Sequence, residues 1–528
     1  MRNRVARAVV AVALAAGAVV AVPGAGAQAS GATETYIVLY RAENVPADAR
    51  ATVERAGGTF VYAYDQIGVV IARSDSATFR SQLLRDNRVE GAAATTNFGV
   101  QVDGGATDAE GPPQGDLPNA PATDADTFSP LQWDMRQIHA PEAHAITGGS
   151  PAVVVGNIDT GLDKDHPDLV QNIDFSNSAS CESGAPDQDP AAWDDRHGHG
   201  THTGGTIAAG SNGFGIVGTA PNVKLAGIKA STDEGFFFPE MVVCAFMWAG
   251  TRHLDVTNNS YFADPFLFNC HNDPVQQAIW KAESRAIRYA QTQGVTVVAS
   301  AGNNSDDLSH PALDVTSPDF PPGSEIEREV TNACVVIPVE VPGVIGVSAN
   351  GNTQQNDDNP DEPDYLKSFY SNYGVSAVEV TAPGGDSIFG VTPESPNGRV
   401  LSTWPHEIFC RPDRRLEDAS PLGPSAYCYA QGTSMAGPHV AGVAALIVSV
   451  YGDLENPQNG KMRPGAVSAF ITQTADPQPC PTTLPPGYEA FTQVSGEPQE
   501  CDGGPGHNSW YGTGRVDALR AITHTSQN

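Results

Sequence analysis

Ser434 is the residue whose surroundings first suggest chemistry. It sits in Gly432-Thr433-Ser434-Met435-Ala436-Gly437-Pro438-His439, directly before the small, apolar run Val440 to Ile447. A hydroxyl placed between small residues where a helical pattern begins is a candidate nucleophile, because the amides of a first helical turn point toward negative charge. The plainer reading is a turn and N-cap ahead of a buried helix. A base and an acid to orient it would decide between the two. Ala152 to Ile158 is a short, apolar, β-branched run that reads as a buried parallel strand, and it ends on Asp159. His199, within His197-Gly198-His199-Gly200-Thr201-His202, opens a small-residue helical segment, and the strand-like run Val295 to Ala299 leads into Ser300-Ala301-Gly302-Asn303. A serine hydroxyl becomes nucleophilic when an imidazole takes its proton, and a carboxylate can fix the imidazole tautomer. Each residue also has a duller reading: Asp159 as a strand-end acid, His199 as a packing residue, Asn303 as half of an Asn303-Asn304 turn. His197, His199 and His202 together could also be metal ligands.

The order Asp, His, Ser and the motifs Asp159-Thr160-Gly161, His199-Gly200-Thr201-His202 and Gly432-Thr433-Ser434-Met435-Ala436 resemble those of the subtilisin-like (subtilase) serine peptidases. The resemblance implies that Ser434 is the nucleophile, His199 the general base and then acid, and Asp159 its orienting carboxylate. Asn303 then matches the side-chain amide that binds the oxyanion, and His202 and His439 become structural. It implies a Ca²⁺ site as well, with side-chain oxygens from Asp168 and Asn212 and carbonyls from Gly210, Phe214 and Ile216. Ser129 stands where the family usually has a glutamine ligand. Asn258-Asn259-Ser260-Tyr261-Phe262-Ala263 occupies the place of the segment that binds the substrate backbone and lines the primary specificity pocket. The family segment usually ends Ser-Leu-Gly-Gly, so Ser260, Tyr261, Phe262 and Ala263 are the expected substrate-binding residues, with Phe262 either narrowing the pocket or packing away from it. A peptidase acting inside protein chains leads. A subtilase-fold exopeptidase such as a tripeptidyl aminopeptidase, or an esterase, follows, and a catalytically silent binding protein comes last.

Those side chains need a scaffold. Strands at Ala152, Lys224, Val256, Val295 and Val344 alternate with helical stretches such as Val275 to Gln293, the pattern of a doubly wound parallel α/β sheet over residues 130–528. Its carboxyl edge is where chemistry collects. Ser176 to Asp195, Asn304 to Pro342, Asn350 to Lys367 and Asp386 to Cys428 read as acidic or proline-rich surface insertions. Upstream, Arg2, Arg4 and Arg7 precede an apolar stretch from Ala8 to Val22 and small-residue cleavage sites, so residues 1–29 read as a secretory signal peptide. Residues 30–102 read as a small α+β unit: a strand Tyr36 to Tyr40, a helix from Ala47 closed by Gly57-Gly58, strands Thr59 to Tyr64 and Gly68 to Ala72, and a helix near Ser76 to Arg85. By position this unit resembles the subtilase propeptide, a ferredoxin-like folding aid and intramolecular inhibitor. Residues 103–129, rich in Gly, Ala, Pro and Asp, read as an exposed linker.

Composition agrees with export. The 528 residues hold 29 Lys and Arg against 61 Asp and Glu, a formal charge of −32 that argues against nucleic acid or anionic membrane as partners. Eight cysteines in an exported chain favour disulfides, and none has zinc-site spacing. Nearness suggests Cys244 with Cys270, Cys410 with Cys428 and Cys480 with Cys501, leaving Cys181 and Cys334. A secreted monomer acting on proteins or peptides is expected.

Overall fold

The computed structural model describes residues 32–95, 120–263, 266–318, 324–354, 363–389, 398–455, 460–504 and 506–525. The signal-peptide reading and residues 103–119 of the linker reading lie outside them. The centre is an eight-stranded sheet. Val154–Asp159, Lys224–Lys229, Val256–Asn259, Thr296–Ser300 and Ile345–Gln354 form its middle, with Lys224–Lys229 beside Val154–Asp159, then Val256–Asn259, Thr296–Ser300 and Ile345–Gln354. These pair in parallel, Ile158 opposite both Ile228 and Asn259, and Val298 opposite Ile345. Val380–Pro383 adds to Ile345–Gln354 in parallel and Tyr365–Lys367 antiparallel.

Because strand side chains alternate between faces, Val297 enters one hydrophobic core and its neighbour Val298 another. The first core holds helices Pro239–Thr251 and Pro274–Thr292 through residues such as Phe246 and Ile287, and the second holds helices His199–Ala208 and Thr433–Tyr451 through Ile207 and Val440. Covered on both faces, the sheet is the expected doubly wound α/β fold. Thr433–Tyr451 is long and apolar enough to cross a membrane, but its apolar window is 89% buried inside the protein. A helix apolar all round suits a core enclosed on every side.

The N-terminal unit runs strand Glu34–Tyr40, helix Ala49–Arg55, strand Thr59–Tyr64, strand Val69–Ser74, helix Phe79–Leu83, strand Val89–Ala94. Its strands, numbered along the chain, lie in the order 2-3-1-4 and pair antiparallel. Tyr36, Val38 and Tyr40 face its own helices, whereas Ile37 and Leu39 enter the core that includes Pro239–Thr251 and Pro274–Thr292. Arg285 donates to the carbonyls of Tyr40 and Ile67 at 2.9 and 3.0 Å, Lys281 pairs with Glu90, and the Tyr64 hydroxyl donates to the Gly184 carbonyl at 2.7 Å. Residues 120–129 lie against the body: Thr123 bonds Ser211, and Asp126 accepts from the amides of Asn212 and Gly213 at 3.0 and 2.9 Å.

Two readings are corrected. Cys181 pairs with Cys244 and Cys270 with Cys334, while Cys410–Cys428 and Cys480–Cys501 are as expected. Sequence nearness fails for the first four because the sheet returns distant segments to each other; Cys270 and Cys334 face across paired strands Asn269–Cys270 and Cys334–Val335. The stretch from Asp386 to Cys428 is more than a surface loop, as are Ser176 to Asp195 and Asn350 to Lys367, where Ala179–Ser180 and Tyr365–Lys367 are strands of the central sheet. Val400–Trp404 is a fully buried strand paired with Gly423–Ala430, which also pairs Arg415–Ser420. Its Val-Leu-Ser-Thr-Trp run carried the β signal.

Candidate active site

Asp159 ends its strand fully buried, and its Oδ1 meets Nδ1 of His199 at 2.7 Å. The same carboxylate accepts from the Thr160 N–H at 2.7 Å and the Thr203 hydroxyl at 3.2 Å, so three donors hold its charge. Asp195 fixes the approach of the helix. Its oxygens accept from the N–H groups of His197, Gly198 and Thr201 and from the hydroxyls of Thr160 and Thr201, at 2.6 to 3.0 Å. Thr160 in turn accepts from the Gly200 N–H at 2.8 Å. Gly200 is required for that contact, because a Cβ there would stand 2.2 Å from the Gly161 carbonyl oxygen. Burial works to lower the basicity of His199, but the charge and hydrogen bond of Asp159, with Asp195 adding, outweigh it and raise its pKa above the ordinary imidazole value.

Ser434 stands in the first turn of Thr433–Tyr451, where backbone N–H groups lack intrahelical acceptors. Its hydroxyl donates to the Ser260 carbonyl at 3.1 Å, and the Ser260 hydroxyl donates back to the Ser434 carbonyl at 3.1 Å. Asn303 follows the adjacent strand. Its Oδ1 accepts from both the N–H and the hydroxyl of Thr433 at 2.9 Å, which leaves Nδ2 as its donor toward the cleft. His199, Asn303 and Ser434 line one open cavity of about 680 Å³. Such an arrangement can take a proton from a hydroxyl, attack a carbonyl carbon and hold the resulting negative oxygen.

Ser260, Tyr261 and Phe262 line the same cavity, whereas Ala263 is fully buried and bonds the Ile337 carbonyl through its N–H at 2.8 Å. Tyr261 stacks on Phe237 with centroids 4.3 Å apart and planes 6° from parallel, and its hydroxyl donates to Asn259. Phe262 is half-buried against the core and lines the cavity, so it does not pack away from it.

The residues expected to hold Ca²⁺ come together, but as donors and acceptors to each other. The buried Asp168 carboxylate accepts from the Ile216 N–H at 3.0 Å, the Asn212 amide nitrogen at 2.8 Å and the Tyr427 hydroxyl at 3.0 Å. The Asn212 Oδ1 accepts from the Phe214 N–H, and the Gly210 N–H donates to the Asp168 carbonyl. The Tyr427 hydroxyl fills the space beside Gly215, where a Cβ would stand 1.9 Å from it. A hard cation is held by oxygen lone pairs, and here three N–H and O–H groups donate to Asp168 while Asn212 turns its amide nitrogen, not its oxygen, toward that carboxylate, so the cluster stands as a hydrogen-bonded one. His202 bonds the Cys428 carbonyl, and burial lowers its pKa to about 3. His439 spans the Met435 carbonyl and Asp134. Among the described residues no group of His, Cys, Asp or Glu is gathered as metal ligands are.

Asp195, Thr203, Thr433 and Phe237 were not singled out from the sequence. Only Asp195 carried a signal, an acid just ahead of a helix start; the others become relevant through strand and helix contacts that the fold creates.

The family model described as the subtilase family matches residues 150–514. The chain is 29% identical over 307 residues to fervidolysin of Fervidobacterium pennivorans, covering 57% of this chain and 35% of that relative. It is 30% identical over 337 residues to a thermophilic serine proteinase of Bacillus sp. (strain AK1), covering 63% and 61%. It thus spans about a third to three fifths of the length of these relatives. The crystal structure of the epidermin leader peptide processing serine protease EpiP from Staphylococcus aureus matches with a TM-score of 0.62 at 20% identity, over 94% of this chain and 99% of that one, a likeness of fold. With the family model spanning well over half its length, the chain belongs to the subtilase family.

Proposed function

We propose that this protein is a secreted serine endopeptidase that hydrolyses peptide bonds through an acyl-enzyme. The observation that carries the reading is the 2.7 Å bond between buried Asp159 and His199 beside a cavity that Ser434 and Asn303 also line. In the first step the Ser434 hydroxyl turns from the Ser260 carbonyl toward His199 and gives its proton to Nε2 as Oγ bonds the substrate carbonyl carbon. Asn303 Nδ2 and the Ser434 N–H stabilise the oxyanion. Collapse breaks the C–N bond, His199 returns the proton to the leaving amine, and water then repeats the sequence to release the acid. The Asp168 cluster enters this reading as a hydrogen-bonded pin for the 210–216 loop, with no step passing through a metal. Residues 30–102 act as an inhibitory propeptide; the packing of residues 32–95 on Pro239–Thr251 and Pro274–Thr292 supports this, and the four disulfides support an exported protein. The test is digestion of an unfolded protein by the mature enzyme, with products read by mass spectrometry. Internal cuts are expected, together with accumulation of full-length Ser434→Ala precursor in a protease-free host. Release of N-terminal tripeptides alone would make it an exopeptidase, and an active Ser434→Ala variant would overturn the mechanism.

A further inference from the structure

The cavity has a second half that the acyl-side residues do not account for. Besides Ser260, Tyr261 and Phe262 it is lined by Trp404, Phe409, Arg411 and Arg414, carried by the segment 400–430 that Cys410–Cys428 closes. This segment packs on the helix of the base. Ser402 and Thr403 donate to the carbonyls of His202 and Thr201 at 2.7 Å, and the Trp404 ring lies so near Gly198 that a Cβ there would stand 2.5 Å from it. The leaving amine must lie on the imidazole side to receive its proton, so this half receives the residues beyond the scissile bond.

Its charge is unlike that of the molecule. In a chain of net charge −32, Arg411 and Arg414 line this wall, and both are close enough to Arg399 for their charges to act on it, with Asp413 opposing them. Arg411 is held by Asp413 through two 3.0 Å bonds. The Arg414 side chain has no hydrogen bond or ion pair to a described residue, although the Asp413 carboxylate feels its charge, and its Nε is buried without a partner. The Tyr429 N–H fixes the Arg414 backbone at 2.9 Å, so the side chain is presented from a pinned turn just ahead of the strand Arg415–Ser420. A guanidinium is a planar fork matched to a carboxylate.

We propose that the leaving-group half of the cleft binds a carboxylate, held by Arg414 with Arg411 beside it, within the first three substrate residues beyond the scissile bond. The carboxylate is either an acidic side chain or the C-terminus of a short substrate. This deepens the peptidase reading and rests on it. The experiment uses the mature enzyme and quenched-fluorescence peptides with one common acyl side. In the first arm Glu replaces Gln at each of the three positions with the C-terminus blocked; in the second, Gln peptides end as free acid or as amide after the second or third residue. A preference of about tenfold in kcat/KM for the carboxylate is expected in one arm, carried by KM and reduced at high salt. Arg414→Gln should bring that ratio to within twofold, while Arg414→Lys, which keeps the charge and controls for folding, should retain part of it. Ratios within twofold in both arms, or a preference that survives the double change Arg411→Gln and Arg414→Gln, would overturn the proposal. If the matured enzyme cleaves none of these peptides, the peptidase reading itself fails instead.

Discussion

Asn303 is the residue on which the proposed chemistry can be tested with least disturbance to the fold, because it is exposed and its two amide atoms do different work. Its oxygen is tied to Thr433, and its nitrogen is left for the oxyanion. Asn303→Ala should therefore lower kcat by about 10²–10³-fold with a much smaller change in KM, the usual cost of one lost oxyanion donor; a KM effect alone would make Asn303 a binding residue. The base has its own signature. Asp159 and Asp195 raise the His199 pKa against the effect of burial, so His199 becomes protonated as pH falls through a value above the ordinary 6.5. kcat/KM should be full at mildly alkaline pH and fall tenfold per unit below that raised value, measured on a neutral substrate. A profile flat down to pH 5 would exclude His199 as base. These residues were readable in the sequence because each lies in a short motif whose neighbours are dictated locally, such as Gly200 against Gly161.

Elements were readable to different degrees. The parallel strands and the helix Pro274–Thr292 announce themselves by continuous apolar runs and 3.6-residue periodicity, and they fall within about two residues of the expected places. The hairpin from Val400 to Ala430 was hidden by proline, arginine and acidic residues between its arms, and its importance lies in contacts no local pattern encodes. One of these is Tyr427, whose hydroxyl completes the Asp168 cluster and so pins the 210–216 loop. Tyr427→Phe removes one donor from a buried carboxylate and should cost about 1–3 kcal/mol, read as a lower Tm. Chelation of the wild-type protein should leave its Tm unchanged. A Tm that rises with added Ca²⁺ and falls with EDTA would show instead that the loop opens to take the ion.

At the scale of the whole molecule, buried acids set a conflict between stability and activity. Burial pushes the carboxyls of Asp306, Glu340 and Glu379 up to about 7 and that of Asp163 to about 6. Between pH 4 and 7 the unfolded chain has lost these protons while the folded chain keeps them, so stability falls as pH rises across that window. Self-repulsion at a net charge of −32 acts in the same direction. The Tm of Ser434→Ala, which avoids autolysis, should drop by roughly 5–10 °C from pH 4.5 to pH 7.5. A Tm that climbs over this range would show that these carboxylates ionise without penalty. Chain order has a further consequence. The strand Val380–Pro383 and the closing stretch Gly514 to Val516, which bonds Thr381, are made after most of the sheet, and Ser434 is made long after Asp159 and His199. In the proposed mechanism, a chain growing from its N-terminus therefore carries a complete base without a nucleophile for almost half of its synthesis. In that mechanism hydrolytic power arrives in a single late event, when residues 32–95 have long been made and can already be seated on Pro239–Thr251 and Pro274–Thr292.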